Sequence, residues 1–178
     1  MNLFERKQID SLFWSYYPSK YKNILYETIY NEVKILLKKN SSRYSCVLSD
    51  RLNNEYSNID THFWTTNIEN IKDEIEKTFN IHVDYGLVHL YEDGESSINW
   101  HNDKEAIDSF IVSVSFGSPR RFQLREFYNN ENKFTYELFH GDMFIMKRGC
   151  QELYEHCIIK DKKITKPRIS ITFRERTK

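Results

Sequence analysis

A histidine and an aspartate two residues apart are the first side chains in this sequence whose types and spacing could do chemistry. His101 and Asp103 are separated by a single asparagine. In an extended chain such residues project to the same side, so one metal ion could bind both the imidazole and the carboxylate. His156 lies in a later segment predicted to be a strand, and a jelly roll could bring it back to the same place. Two imidazoles and one carboxylate leave positions open on an octahedral ion, as in non-haem Fe(II) sites, and zinc accepts the same ligands.

A second set of candidates lies on one face of the segment 168–174, which alternates strictly between polar and apolar residues. The polar face carries Arg168, Ser170, Thr172 and Arg174. In a strand the two arginine backbones would lie about 20 Å apart, so only side chains that lean together could share one small ligand. A guanidinium pairs with both oxygens of a carboxylate, which makes a dicarboxylate a fitting ligand. The alternative is an exposed basic edge strand, because the residues after position 160 are rich in lysine.

The elements that must position these residues can be predicted from the spacing of apolar side chains. Spacings of three and four predict a first helix, whose stripe is Tyr21, Leu25, Ile29, Val33 and Leu36. They predict a second helix that begins at Thr66, where Glu69 gives the spacing of a capping box. Alternation predicts strands at 83–91, 110–116, 121–125, 133–139, 143–147, 152–158 and 168–174. The stretch 49–61 is predicted to be a surface loop.

Helices followed by many short strands with polar turns indicate an α+β fold, a β-sandwich or jelly roll with the helices packed against one sheet. The composition agrees with a single globular domain. Of 178 residues 39% are hydrophobic, and only 5 are Gly and 3 Pro, which excludes a disordered or collagen-like chain. Lys+Arg and Asp+Glu balance at 26 each, so any basic face that binds a partner must be local.

Several features bear on where the protein works. The apolar runs are too short to span a membrane, and the N-terminus lacks the apolar core of a secretory signal. The three cysteines form no C-x-x-C pair, which suits a reducing compartment and favours buried, unpaired thiols. We therefore expect a soluble intracellular monomer, cytoplasmic or nuclear, with no membrane partner.

The sequence resembles the AlkB family of Fe(II)- and 2-oxoglutarate-dependent dioxygenases. The segments that carry the resemblance follow one another in the family's order, at 90–105, 111–122, 140–146 and 167–174. Upstream, Tyr17-Pro18 and Arg43-Tyr44 look like the family's earlier landmarks. The resemblance implies a double-stranded β-helix, the cupin-like jelly roll, buttressed by N-terminal helices. It also implies one catalytic domain over 1–178, with the helices and a substrate lid over about 1–82 and the jelly-roll core over about 83–178.

The resemblance assigns roles to the two sets of candidates. It implies that His101, Asp103 and His156 bind Fe(II), with 2-oxoglutarate and O2 as cosubstrates. It implies that Arg168 pairs with the far carboxylate of 2-oxoglutarate and that Arg174 lies near the carboxylate at the metal.

Three further residues are implied to contact the cosubstrate. Tyr91 would donate its hydroxyl to 2-oxoglutarate. His89 stands where many family members have asparagine, so it is both a candidate contact and a rival metal ligand. Ser170 replaces an asparagine that some relatives place between the two arginines. His140, before a turn, is predicted to have a structural or solvated role.

The resemblance also implies a substrate, an alkylated DNA or RNA base such as 1-methyladenine or 3-methylcytosine, whose methyl group leaves as formaldehyde. Glu105 would accept a hydrogen bond from the exocyclic amine of the base, and Trp100 and Tyr56 would stack on bases. Trp64 is expected in the core. Candidates for phosphate contacts are Arg120, Arg121, Arg125, Lys147, Arg148 and the lysines of 160–166, each of which is otherwise a solvated charge.

Two other functions remain open from the residues. One is an oxygenase of the same kind whose substrate is a protein side chain, a lipid or a small molecule. The other is a cupin-like module that holds a metal without turnover, which a pair of arginines suited to a dicarboxylate argues against.

Overall fold

The computed structural model describes residues 6–52 and 59–175. Its strands are β1 (Ile9–Asp10), β2 (Trp14–Tyr17), β3 (Lys38–Asn40), β4 (Arg43–Ser49), β5 (Thr61–His62), β6 (Tyr85–Tyr91), β7 (Ile98–His101), β8 (Ile111–Gly117), β9 (Arg120–Glu126), β10 (Lys133–Leu138), β11 (Met143–Met146), β12 (Tyr154–Ile158) and β13 (Arg168–Arg174). Its helices are α1 (Tyr26–Val33), α2 (Thr66–Phe79) and α3 (Cys150–Leu153), with a 3-10 turn at Lys104–Ala106.

The strands form two sheets. Within the described ranges the larger sheet has nine strands in the order β1-β2-β11-β8-β13-β6-β4-β3, and β5 pairs in parallel with β4. The smaller sheet has the order β10-β9-β12-β7. Two mainly antiparallel sheets with crossovers between them are the double-stranded β-helix that the sequence predicts, and the helices buttress the larger sheet.

The alternation of β13 sorts its side chains between two environments. Ile169, Ile171 and Phe173 face the core that α1 and α2 cover, while the polar residues face the smaller sheet. The helices contribute their apolar stripes to this core, with Ile29 and Val33 from α1 and Ile68, Ile71 and Ile75 from α2. A second core lies between the sheets and includes Trp14, Phe122, Leu124, Phe144 and Tyr154. The space between the sheets is therefore apolar on one side and polar on the other.

Both predicted helices exist, with corrections at their ends. The first is shorter than its apolar stripe and spans only Tyr26–Val33. The second begins at Thr66 as predicted, but no capping box forms, and the N-cap is Thr65. Glu32 supplies the missing acceptor instead, because its carboxylate accepts hydrogen bonds from Thr65 Oγ1 at 2.6 Å and from the backbone N–H of Asn67 at 3.0 Å. An anion at a helix N-terminus is stabilising in either case.

The prediction of helices first and sheet afterwards is wrong in part, because β1 to β5 lie in the first half of the chain. Most of these strands are short and polar, and β4 is buried on both faces, so none shows a clear alternation. β7 was missed for the same reason of length. The predicted strand 152–158 begins only at Tyr154, after α3. The predicted loop 49–61 begins and ends on strand residues, and residues 53–58 lie outside the described part.

The three cysteines are buried and unpaired, as predicted. Within the described residues, no helix is both long and apolar enough to cross a membrane.

Candidate active site

The three predicted metal ligands come together at one end of the space between the sheets. His101 and His156 are directly opposite each other on the antiparallel strands β7 and β12, and Asp103 follows two residues after β7. His101 Nε2 lies 3.9 Å from Asp103 Oδ1, and His156 Nε2 lies 3.6 Å from Asp103 Oδ2. One ligand atom from each residue falls within 4.8 Å of the others, and this is the one such group of three found among the described residues.

Hydrogen bonds orient this group for binding a cation. His101 Nδ1 lies 2.8 Å from the backbone oxygen of Asn99, and since a carbonyl only accepts, Nδ1 carries the proton and Nε2 presents its lone pair. The backbone N–H of Asp103 donates to Gln151 Oε1 at 2.9 Å, and Asn102 Nδ2 donates to the Gln151 carbonyl at 3.0 Å. These contacts fix the loop that carries the carboxylate. Such outer contacts set the tautomer and direction of metal ligands.

The protonation states also favour a metal. Burial raises the pKa of Asp103, but the charge and hydrogen bond of Arg174, together with the two neighbouring histidines, outweigh this effect and hold the pKa below its usual value. Burial lowers the pKa of His156 to about 3, so this ring is neutral near pH 7. A carboxylate and neutral imidazoles are the forms that bind a divalent cation.

Arg168 lies at the other end of the same cavity and is 1% exposed. Its Nη2 donates to Ser115 Oγ at 2.9 Å and to Ser170 Oγ at 3.3 Å, and its guanidinium carbon lies 5.2 Å from the centre of the Tyr91 ring. Burial lowers the pKa of Arg168 to about 10, which leaves it positively charged at neutral pH. Its Nε and Nη1 are buried without a hydrogen-bond partner. Buried donors of this kind are costly unless an acceptor reaches them, so the geometry suits an anion.

Arg174, at the opposite end of β13, has a different environment. Its Nη2 lies 3.1 Å from Asp103 Oδ2, and its Nη1 lies 2.6 Å from Glu105 Oε1. Arg174 therefore contacts the metal-binding group, while Arg168 is buried among Ser115, Ser170 and Tyr91. Both guanidinium groups are buried, which excludes the alternative of an exposed basic strand.

His89 is not a rival metal ligand, because it lies outside the group of three. Its Nδ1 lies 2.7 Å from Ser45 Oγ and accepts a hydrogen bond from Arg43 Nε at 3.3 Å. Since arginine only donates, Nδ1 is unprotonated and the ring proton lies on Nε2. Burial, and then the charge of Arg43, lower the pKa of His89 well below its usual value. His140 has the predicted structural role, since its Nδ1 accepts from the backbone N–H of Gly117 at 3.1 Å.

The predicted substrate-contact residues lie in different environments. Trp100 and Glu105 line the cavity, but Glu105 is already held by Arg174. The guanidinium carbon of Arg125 lies 4.2 Å from the Trp100 ring, and its Nη2 lies 2.6 Å from Glu155 Oε2, so its charge is paired. Trp64 stacks on Phe173 in the core, as predicted. Tyr56 lies outside the described residues.

One phosphate candidate is wrong. Arg120 is 1% exposed, because β9 directs it inward, and its guanidinium donates to three backbone carbonyls. It cannot reach a phosphate on the surface.

The cavity joins the metal-binding group to Arg168 and has a volume of about 410 Å³, within the range of ligand cavities. Sequence reasoning missed two polar residues that line the cavity, Arg43 and Ser113. It also missed three that hold lining residues by hydrogen bonds, namely Ser45, Ser115 and Gln151. The two β8 serines alternate with apolar residues, and this alternation could have indicated a polar inner face. The resemblance marked Arg43 without giving it a role, and no pattern marks Gln151, because the roles of both depend on contacts between distant segments.

Comparison with known proteins agrees with this geometry. The sequence matches the 2OG-Fe(II) oxygenase superfamily over residues 6–174. It is similar to the uncharacterized protein R406 of Acanthamoeba polyphaga mimivirus, with 35% identity over 63% of this chain and 60% of that protein. It is similar to the human alpha-ketoglutarate-dependent dioxygenase alkB homolog 3, with 30% identity over 62% of this chain and 43% of that protein. It is also similar to the bovine DNA oxidative demethylase ALKBH2, with 28% identity over 63% and 44% of the two chains.

The fold has a counterpart among solved structures. That of OsALKBH1 superposes with a TM-score of 0.73 over 95% of this chain and 100% of that chain, at 14% identity. The matched stretch spans 60% of the viral relative and less than half of the two mammalian ones. The chain belongs to the 2OG-Fe(II) oxygenase superfamily and, within it, to the AlkB family.

The groups that this family binds fit the residues present. The two imidazoles and one carboxylate are a ligand set for Fe(II). The unpaired nitrogens of Arg168, with the hydroxyls of Ser115 and Ser170 beside them, fit the far carboxylate of 2-oxoglutarate. His101, Asp103 and His156 would hold the iron, and Arg168 would hold the cosubstrate.

Proposed function

We propose that this chain is an AlkB-like oxidative demethylase, which removes N-linked methyl groups from DNA or RNA bases and releases formaldehyde. The observation that carries the proposal is one cavity with the three-residue ligand group at one end and the buried, unpaired Arg168 nitrogens at the other. The demethylase and dioxygenase names of the mammalian relatives support it. We also propose the roles of individual residues from this geometry.

When bound, iron and 2-oxoglutarate would supply the oxidation of the methyl carbon, with O2 as the oxidant. The protein supplies orientation and charge. Arg168 fixes the far carboxylate of the cosubstrate and so sets its direction along the cavity. Arg174 keeps Asp103 ionised, since its charge lowers the pKa of that carboxyl.

The substrate base must leave its stack to enter the cavity, at a cost of a few kcal/mol unless the strand is already single. Glu105 is half exposed and lines the cavity. One of its oxygens contacts Arg174. In this proposal the carboxylate also accepts a hydrogen bond from the exocyclic amine of 1-methyladenine or 3-methylcytosine. Trp100 borders the cavity and stacks on a base at its mouth.

The test measures formaldehyde release and the mass of the base after reaction with Fe(II), 2-oxoglutarate and O2. The substrates are oligonucleotides with 1-methyladenine or 3-methylcytosine, as single-stranded and duplex DNA and as RNA. The Asp103→Ala variant and unmethylated oligonucleotides are the controls. Formaldehyde and the unmodified base should appear in equal amounts with the wild-type protein on methylated substrates, and neither should appear in the controls.

The same experiment separates the other candidates. Consumption of 2-oxoglutarate without any change in the methylated bases would contradict the proposal and favour a protein, lipid or small-molecule substrate. A protein that binds metal but consumes no 2-oxoglutarate would instead be a metal-binding module.

A further inference from the structure

Arg120, the first residue of β9, makes a set of contacts that the predicted phosphate role does not explain. Its Nη1 donates to the carbonyl of Asp93 at 2.9 Å. Its Nη2 donates to the carbonyls of Ser96 at 2.5 Å and Ile159 at 2.9 Å. These acceptors belong to the turn after β6 and to the residue that follows β12. One side chain thus ties both segments to the end of β9.

The same guanidinium contacts the cosubstrate site through Tyr91. The guanidinium carbon of Arg120 lies 5.3 Å from the centre of the Tyr91 ring, and that of Arg168 lies 5.2 Å from the same centre. Tyr91 is 1% exposed, so its ring is fixed between well-packed groups. Cations within about 6 Å of an aromatic ring are attracted to its electron density. A single phenol therefore contacts two buried guanidinium groups.

The charges at this end of the cavity are unusual. No carboxylate of residues 6–52 or 59–175 lies within 4.0 Å of Arg120 or Arg168, although both side chains are buried. Three backbone carbonyls accept hydrogen bonds from Arg120 and leave its Nε without a partner, whereas Arg168 retains two such nitrogens, Nε and Nη1. Burial is the main cause that lowers the pKa of Arg168, and the charge of Arg120 lowers it further.

We propose that Arg120 is a positioning residue for the cosubstrate: it fixes the Tyr91 ring and the 93–96 turn, so that Tyr91 and Arg168 together present one preformed site to the far carboxylate of 2-oxoglutarate. This inference rests on the proposed function only in taking 2-oxoglutarate as the cosubstrate. Arg120 does not touch the ligand and acts through Tyr91. Preorganisation of this kind affects ligand affinity more than the chemical step.

The test compares Arg120→Met and Arg120→Lys with the matched control Arg121→Met. Arg121 is the next residue in β9 but is exposed, with an ion pair to Asp161 at 3.3 Å. Calorimetric titration of 2-oxoglutarate into the manganese-loaded protein should show a Kd at least tenfold higher for Arg120→Met and a smaller increase for Arg120→Lys. Arg121→Met should bind 2-oxoglutarate with the same Kd as the wild type. In turnover, the KM for 2-oxoglutarate should rise by the same factor, while kcat and the KM for nucleic acid stay within about threefold.

A double-mutant cycle with Tyr91→Leu tests the route of the effect. If Arg120 acts through the ring, Arg120→Lys should weaken 2-oxoglutarate binding much less in the Tyr91→Leu protein than in the wild type. Equal losses in both backgrounds would overturn the inference. The Lys variant keeps the cycle informative if Arg120→Met does not fold, which circular dichroism would show.

The failure of this inference is distinguishable from the failure of the proposed function. An Arg120→Met protein that binds 2-oxoglutarate as tightly as the wild type, with only a lower Tm, would overturn the positioning role and leave the demethylase proposal intact. If the wild-type protein binds 2-oxoglutarate but demethylates no base, and Arg120→Met binds 2-oxoglutarate more weakly, the positioning role stands and the demethylase proposal is contradicted.

Discussion

The guanidinium of Arg174 contacts the carboxylate of Glu105, with Nη1 and Oε1 2.6 Å apart. The same guanidinium places Nη2 3.1 Å from Asp103 Oδ2. The residue proposed to read the base is therefore linked to a metal ligand through one arginine. In the proposed function, Arg174 would couple base recognition to metal binding without touching the base itself.

We expect Glu105→Ala to reduce demethylation of 1-methyladenine and 3-methylcytosine about tenfold or more, because an exocyclic amine left unpaired in a dry pocket costs about 1–3 kcal/mol. Decarboxylation of 2-oxoglutarate without nucleic acid should remain nearly intact. Both rates are measured in the same preparation. Glu92→Ala, which removes an exposed acid outside the cavity lining, is the control. A loss of demethylation below about twofold would show that Glu105 only balances the charge of Arg174.

Arg168→Lys should raise the KM for 2-oxoglutarate about tenfold or more, since lysine keeps the charge but loses the planar pair of donors. The KM for nucleic acid should change little. Steady-state kinetics with each substrate varied in turn measures the two constants. Equal increases in both constants would place Arg168 on a surface that binds phosphate, which its burial argues against.

Removal of any one metal ligand, by His101→Ala, Asp103→Ala or His156→Ala, should abolish stoichiometric Fe(II) binding and turnover. Metal content after anaerobic loading and desalting is the measurement. His140→Ala is the matched control, because this histidine accepts a backbone hydrogen bond and is not part of the group. Full Fe(II) content in His156→Ala would contradict the ligand assignment.

The metal-free protein should lose stability as the pH falls below about 6.5, in part because His89 stays neutral in the fold. Its pKa is lowered well below 6.5 by burial first and by Arg43 second. The unfolded chain therefore binds a proton in this window that the folded protein does not, and unfolding becomes more favourable by at most about 1.4 kcal/mol per pH unit.

Urea unfolding between pH 7 and pH 5 measures this effect, and His89→Asn should lower the pH dependence by that amount. If the variant keeps the full wild-type dependence, the decline arises from other groups, of which the buried His156 has a shift in the same direction.

Sequence reasoning succeeded where one local pattern decided the structure. The strand 168–174 was predicted at its observed bounds because its alternation is strict and each face has one environment. The pairing of His101 with His156 could be anticipated only as a possibility, since the register of β7 and β12 depends on packing between distant segments. The capping box predicted at the start of α2 was wrong for the same reason, because Glu32, which accepts the hydrogen bond there, belongs to another helix.

The order of β13 in the sheet has a consequence for the time course of folding. β13 is the last strand along the described chain, yet it lies between β8 and β6 in the middle of the larger sheet. Until it joins, the neighbouring edges of both strands are unpaired, and pairing over such sequence separations is slow. β13 also carries Arg168 and Arg174, so the pairing that completes the middle of the sheet also places both arginines. A chain in which β13 has not paired has no Arg168 in the cavity, so it lacks the group proposed to hold the far carboxylate of the cosubstrate.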